Sequence, residues 1–227
     1  MRELGTERFP VKEYIEGLYE KSEKSEKGGG KDSELKLKAR EFSRELSKEQ
    51  ISLSPVEARL MATLIAAHGA KKFVEIGTLT GYSALWILEA LGESGHLWTF
   101  EKDEAHAGKA REVFSGIKNV TLVEGDAEAT LPTISGHGPF DGIFIDGNKG
   151  AYGRYLEWAE KNLRKGGVII ADNVFLGGSV HTGQSEGWSK SVIETMRSVN
   201  KRLADRTKYF GAIVPTAEGL FVAVKLF

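Results

Sequence analysis

The chain has 227 residues, 41% of them hydrophobic, which is enough for one well-buried α/β domain and short for two. Lys and Arg number 31 against 32 Asp and Glu, and a formal charge of −1 gives no general drive toward nucleic acid or an anionic membrane. The absence of Cys excludes disulfides, thiolate zinc sites and Cys nucleophiles. No run approaches the ~20 apolar residues that span a bilayer, and MRELGTERFPVKEYIEG has no apolar core of signal-peptide length. The expectation is a cytoplasmic protein without a membrane partner.

Val11, Tyr14, Ile15, Leu18 and Tyr19 share a helical face, so residues 10–21 read as an amphipathic helix. The stretch 20–33 is poor in apolar residues and carries three consecutive glycines, which suits a connection. Leu35, Ala39, Phe42 and Leu46 predict a second helix, and residues 1–50 form a helical extension that packs on the domain or on a second subunit, giving a homodimer. Residues 51–227 are the main domain. Ser54-Pro55-Val56-Glu57 has the pattern of a capping box with Pro at the first helical position, opening a helix that Gly69 ends.

From there the alternation is regular. Strands are expected at 72–76, 96–101, 120–124, 140–145 and 168–171, with helices at 81–91, 103–115, 127–134 and 151–164 between them, the βα rhythm of a parallel sheet. After a helix at 187–203, the runs 208–214 and 219–226 face each other across Pro215 to Glu218 as a hairpin. A parallel sheet finished by an antiparallel edge strand is a known mixed arrangement.

The chain turns on KFVEIGTLTGYSA, residues 72–84. A short apolar run gives way to Gly77 and Gly81 and then to a helical pattern, the opening of a doubly wound nucleotide site. The spacing is G-x-x-x-G, not the dinucleotide G-x-G-x-x-G, and the Glu75 carboxylate repels phosphate and favours a cationic ligand, which disfavours an NAD-dependent dehydrogenase. The strand HLWTF ends at Glu101, about two dozen residues on, where such folds place an acid for the two ribose hydroxyls. A purely structural turn and a strand-end charge are the alternatives.

In open α/β sheets ligands sit outside the carboxyl ends of the strands. Strand 140–145 ends at Asp146 and strand 168–171 at Asp172-Asn173. Two carboxylates and a carboxamide oxygen form a hard-oxygen site for Mg²⁺ or a similar divalent ion such as Mn²⁺ or Ca²⁺; as single residues, the two Asp also read as caps. Lys149 enters the next turn three residues past Asp146, and a nearby cation together with desolvation would lower its pKa toward that of a usable base. None of the five His shows metal-ligand spacing; His181, in the loop after Asn173, is the one kept open.

Taken together, FVEIGTLTGYSALWI, FEKDEAHAGKARE, VEGDAEATLP, FDGIFIDGNKGAY and LRKGGVIIADNVFLGGSV resemble the cation-dependent O-methyltransferases related to catechol O-methyltransferase and caffeoyl-CoA O-methyltransferase, in particular their small bacterial members. The likeness runs from Ser54 to Phe227. It implies a Rossmann-like class I fold, a seven-stranded sheet with an antiparallel last strand, and S-adenosylmethionine as donor. Carried over, Glu75, Gly77, Thr78, Tyr82 and Ser83 surround the methionine part, Glu101 the ribose, and Asp126-Ala127 the adenine. Asp146 borders the donor and, with Asp172 and Asn173, holds the metal; Lys149 and Asp146 are the catalytic pair.

The implied reaction methylates one hydroxyl of a vicinal-diol aromatic small molecule. Two departures matter, the first for a flat aromatic acceptor and the second for metal affinity. Members commonly have Trp shortly after the metal-binding Asp-Asn pair, where this chain has Val174 to Gly178, and Asn148 stands where many have a third acid. The alternatives are a hydroxylated tRNA nucleoside as acceptor, or a protein that binds S-adenosylmethionine without catalysis.

Overall fold

The computed structural model describes residues 14, 17–18, 31–185, 187–216 and 218–227. The helix expected at 10–21 and most of the Gly-rich stretch therefore lie outside the described residues.

The second expected helix is α1 (Lys31–Glu45), which begins inside the stretch read as a connection. It buries Ala39 and Phe42 in the helical layer formed with α2 (Pro55–His68), α3 (Tyr82–Leu91) and α4 (Glu104–Val113). The Thr80 hydroxyl donates to Ala39 O at 2.8 Å, fixing α1 over the glycine turn. The capping box of α2 forms as its sequence requires. Ser54 Oγ accepts from Glu57 N–H at 3.3 Å, Ser54 N–H donates to the Glu57 carboxylate at 3.2 Å, and Gly69 closes the helix with φ 71°.

The strands are β1 (Lys72–Ile76), β2 (His96–Glu101), β3 (Val120–Glu124), β4 (Phe140–Ile145), β5 (Leu163–Ala171), β6 (Tyr209–Val214) and β7 (Leu220–Lys225). They lie in the order β3-β2-β1-β4-β5-β7-β6. The first five are mutually parallel, and β7 runs antiparallel to both neighbours. The antiparallel strand is thus last in sequence but does not lie at the edge as expected. Leu220, Phe221 and Ala223 are buried, whereas β6 is exposed along most of its length, so β7 takes the interior place and β6 the rim.

Strand β5 starts five residues before its expected beginning. Leu163 pairs with Phe140 and Val168 with Gly142, a bulge that absorbs Arg164 to Gly167. The preceding helix, α6 (Tyr152–Asn162), ends correspondingly early. The remaining helices are a single turn, α5 (Ala127–Thr130), capped by Asp126; α7 (Ser179–Thr182); and α8 (Lys190–Leu203). α6 and α8 cover the second face of the sheet with Tyr152, Leu156, Ile193, Met196 and Val199.

Register decides where chemistry can occur. Ile76 pairs with Phe100 on one side and Ile145 on the other, and Ile145 with Ala171. The residues that follow these positions, Gly77, Glu101, Asp146 and Asp172, therefore share one edge of the sheet. The chain leaves β1 for β2 on one side and returns to β4 on the other, so this edge holds the topological switch point.

Candidate active site

At the end of β1 the chain turns so tightly that only glycine fits at position 77. Its φ is 103°, and a Cβ there would stand 2.4 Å from the Asp146 carbonyl oxygen. Gly77 N–H and Thr78 N–H both donate to Phe100 O, at 3.0 and 3.1 Å, which ties the turn to β2. Just before it, Glu75 is fully buried. Thr99 donates to Glu75 Oε2 at 2.5 Å, and the Thr78 hydroxyl lies 2.6 Å from that of Thr99. Glu75 Oε1 has no hydrogen-bond partner. Desolvation pushes the Glu75 pKa up to about 8, against the Ser83 and Thr99 hydroxyls that lower it, with Asp146 and Glu101 adding further repulsion.

A buried carboxyl with one oxygen outside any hydrogen bond, beside a cradle that a Cβ would fill, fits a cationic group approaching along the backbone. Glu101, 8% exposed, sits on the neighbouring strand end, where it accepts from Leu79 N–H at 2.8 Å and from Asp103 N–H at 2.9 Å. Asp126 is exposed and caps α5 through Glu128 N–H, with Ala127 buried beneath it. The Tyr82 ring is buried. It packs edge-on against Trp86, 6.5 Å between centroids, with the Arg40 guanidinium 5.7 Å from its own centroid.

Past β4 and β5, Lys149, Asp146 and the Asp172 strand end come together. Lys149 Nζ donates to Asp146 Oδ1 at 2.6 Å and to the Tyr152 hydroxyl at 2.9 Å. The Tyr152 O–H lies 3.1 Å from Ile145 O and 3.0 Å from Asp172 O, which bridges the two strand ends. Asp172 accepts from Asn173 N–H at 2.7 Å. Neither Asp146 nor Asp172 caps a helix among the described residues, so the cap reading fails for both.

Burial, then the Asp146 charge, pushes the Asp172 pKa up to about 7. Burial likewise raises Asp146, against the pull of Lys149. Glu57, read from the sequence only as a capping residue, adds negative charge near both. Among the described residues no group of three or more His, Asp or Glu stands where it could hold a metal ion. Two mutually repelling buried carboxylates and a carboxamide at adjoining strand ends fit a hard divalent ion.

In the cation-free chain the Lys149 pKa is raised. Burial does pull it down, but the Tyr152 oxygen and the Asp146 carboxylate outweigh burial and hold the group well above the ordinary lysine value. Tyr152 and Thr99 are the members of the site that the sequence reading missed. Both carried a signal: Tyr152 stands three residues past Lys149, and Thr99 is a lone polar residue in an apolar strand.

The O-methyltransferase family model matches residues 24–226 of this chain. The catechol O-methyltransferase of Niastella koreensis is 36% identical over 162 residues, which span 69% of this chain and 72% of that protein. The catechol O-methyltransferase of Mycobacterium tuberculosis is 38% identical over 134 residues, 58% of this chain and 60% of its own length. Among solved structures, the O-methyltransferase TomG of Streptomyces achromogenes, in complex with S-adenosylmethionine, superposes with a TM-score of 0.78 at 30% identity, covering 86% of this chain and 90% of that one. On that family match, that identity and that superposition, the chain belongs to the S-adenosylmethionine-dependent O-methyltransferase family.

Proposed function

We propose that this protein methylates one hydroxyl of a vicinal-diol, catechol-like aromatic small molecule, using S-adenosylmethionine and a divalent cation, with Mg²⁺ the first choice. The observation that carries this reading is the Lys149–Asp146 ion pair, which the Tyr152 hydroxyl ties to the Asp172 end of β5. The names of the Niastella and Mycobacterium relatives support the acceptor class.

Glu75 and its free oxygen would take the donor's ammonium, and the Glu101 carboxylate keeps lone pairs for ribose hydroxyls beyond the two backbone N–H groups that it accepts. Asp146, Asp172 and Asn173 would hold a divalent ion, which would supply positive charge that lowers the pKa of an acceptor hydroxyl. In this reading Lys149, whose Nζ donates to Asp146 and Tyr152, takes up the acceptor's proton once it has given up its own. Tyr152 orients Lys149 from below and ties its position to both strand ends. In the transfer the sulfonium C–S bond breaks as the C–O bond forms, and an anion and a cation become neutral products. The site therefore needs to align them more than to solvate them.

The assembly we propose is a homodimer. Leu37 and Ile51 are 52% and 59% exposed at the N-terminal side, and Phe210 is 65% exposed on the rim strand β6, leaving apolar surface on both. The functional reading is tested by a methyl-transfer screen of catechols, caffeoyl esters, flavonoids and bulk tRNA, with and without Mg²⁺. Turnover of a catechol that a chelator abolishes is the expected result; turnover of tRNA alone, or turnover indifferent to chelator, rejects it.

A further inference from the structure

The segment that leaves β5 is held by more than its own chain connections. Val174 N–H donates to Gly219 O at 3.1 Å and Phe175 N–H to Glu218 O at 3.0 Å, both in the turn between β6 and β7. Gly177 N–H donates to the Glu218 carboxylate at 2.9 Å. From the helical layer beneath, Asn200 of α8 donates its carboxamide N–H to Val174 O at 2.9 Å, and Arg197 donates to Val180 O at 2.8 Å. The Phe175 ring fills the space under Gly219. A Cβ at that position, where φ is 78°, would stand 2.7 Å from the ring. The ring also meets His181 edge-on, 6.2 Å between centroids.

Asn173 lies between two anchors. Asp172 is fixed by its N–H to Ile145 O at 3.0 Å, and Val174 by Gly219 and Asn200. Asn173 itself has φ 56°, a left-handed backbone that persists in a non-glycine residue when its surroundings over-determine it. Removing an anchor on the Val174 side frees the peptide that aims the Asn173 carboxamide. The two backbone bonds from the turn survive any side-chain substitution at position 218, so the carboxylate bond to Gly177 can be removed alone.

We propose that the turn between β6 and β7 is a positioning element of the acceptor side of the site, with Glu218 its positioning residue. By bracing Val174 to Gly178 it fixes Asn173 and the wall of the acceptor space, while the donor side, built on β1 and β2, is untouched. The proposal rests on the reading of Asp146, Asp172 and Asn173 as acceptor-side cation ligands.

The test uses the full chain and compares wild type with Glu218→Ala and Glu218→Gln, since the Gln carbonyl still accepts the Gly177 N–H. Three quantities are read: amide hydrogen exchange, Mn²⁺ affinity by titration, and kinetics with whichever acceptor of the panel the wild type methylates. In Glu218→Ala the amides of Gly177 to Val180 should exchange about tenfold faster, as expected for one charged hydrogen bond lost, while those of β1 and β4 keep their wild-type rates. Mn²⁺ affinity should fall, and kcat/KM for the acceptor should drop about five- to tenfold, chiefly through KM, with donor affinity held within about twofold.

Glu218→Gln should restore most of each effect. Unchanged exchange at Gly177, or faster exchange with unchanged Mn²⁺ affinity and unchanged acceptor KM, overturns the proposal, as does a donor affinity that falls in step. If the wild type methylates no member of the panel, the acceptor class is what fails. Exchange and Mn²⁺ titration then decide the role of Glu218, together supporting it and otherwise rejecting it.

Discussion

Thr99, on the neighbouring strand, donates a 2.5 Å hydrogen bond to Glu75 Oε2, while Glu75 Oε1 makes no hydrogen bond and the Ser83 hydroxyl stands near enough to lower the carboxyl's pKa. One oxygen of a fully buried carboxyl is thus fixed and the other left unpaired. Water-exposed carboxyls do not tolerate so high a pKa; this one does because ionising it here means charging a group without solvent.

The first prediction concerns that proton. The folded pKa of Glu75, about 8, lies above the ordinary value of 4.5, so the folded state holds the proton more tightly than the unfolded chain. Its contribution to stability is full below the unfolded value and is lost as pH rises through the folded one. Thermal stability of the ligand-free protein should therefore fall across that window, and Glu75→Gln should flatten the fall. A cationic donor beside the carboxyl favours its ionised form, so binding of S-adenosylmethionine at neutral pH should release a proton. Calorimetry in buffers of different ionisation enthalpy measures this directly, and binding enthalpies independent of buffer would refute it.

Glu101 is the second case. Glu101→Ala removes a charged acceptor from the ribose and should weaken donor binding by about 1–3 kcal/mol. The carboxylate also accepts Leu79 N–H and Asp103 N–H, so the same substitution loosens the turn. Glu101→Gln separates the two effects, because one carbonyl oxygen remains for a backbone N–H. If donor affinity by titration calorimetry is unchanged in both variants, Glu101 serves the turn only.

The sheet was legible because each parallel strand is a short apolar run bounded by glycine or a carboxylate, and because the register at the carboxyl edge follows from counting along it. Asp146, Asp172 and Asn173 were legible for the same reason, as polar residues just past apolar runs. Sequence spacing gave no access to what depends on three-dimensional competition. Whether Lys149 is driven down by burial or up by its partners turns on two distances, 2.6 Å to Asp146 and 2.9 Å to Tyr152. The place of β7 inside β6 depends on which hairpin arm can be buried on both faces, and both arms read as apolar. Glu218 looked like an ordinary turn residue, since its partner Gly177 lies 41 positions away.

Assembly gives a third prediction. α1 buries Ala39 and Phe42 against the helical layer, so deletion of residues 1–50 should expose that layer and lower stability or solubility. Charge placed on exposed apolar positions tests the interface without that damage. Leu37→Glu with Ile51→Glu should yield a monomer by light scattering if the N-terminal side is the interface, and Phe210→Lys should do so if the β6 rim is. A wild-type chain that is monomeric at every concentration rejects the dimer.

The last prediction separates cation from base. Asp172→Ala leaves one carboxylate and a carboxamide, too few hard donors for a divalent ion, and should abolish both Mn²⁺ binding and cation-stimulated turnover while donor binding survives. Lys149→Ala should leave Mn²⁺ binding largely intact and lower kcat by roughly 10²- to 10⁴-fold, the range for loss of a general base. Lys149 serves as a base only when its proton is given up, so wild-type activity should itself rise with pH. The variant should recover in part at high pH, where hydroxide substitutes for the missing amine. Normal turnover by Lys149→Ala at neutral pH, with Asp172→Ala inactive, would show that chelation alone sets the acceptor's pKa. Lys149 would then serve only to balance the charge of Asp146. If neither substitution affects transfer and chelators do not inhibit, Asp146 and Asp172 hold no cation, and their raised pKa values would reflect burial and mutual repulsion alone.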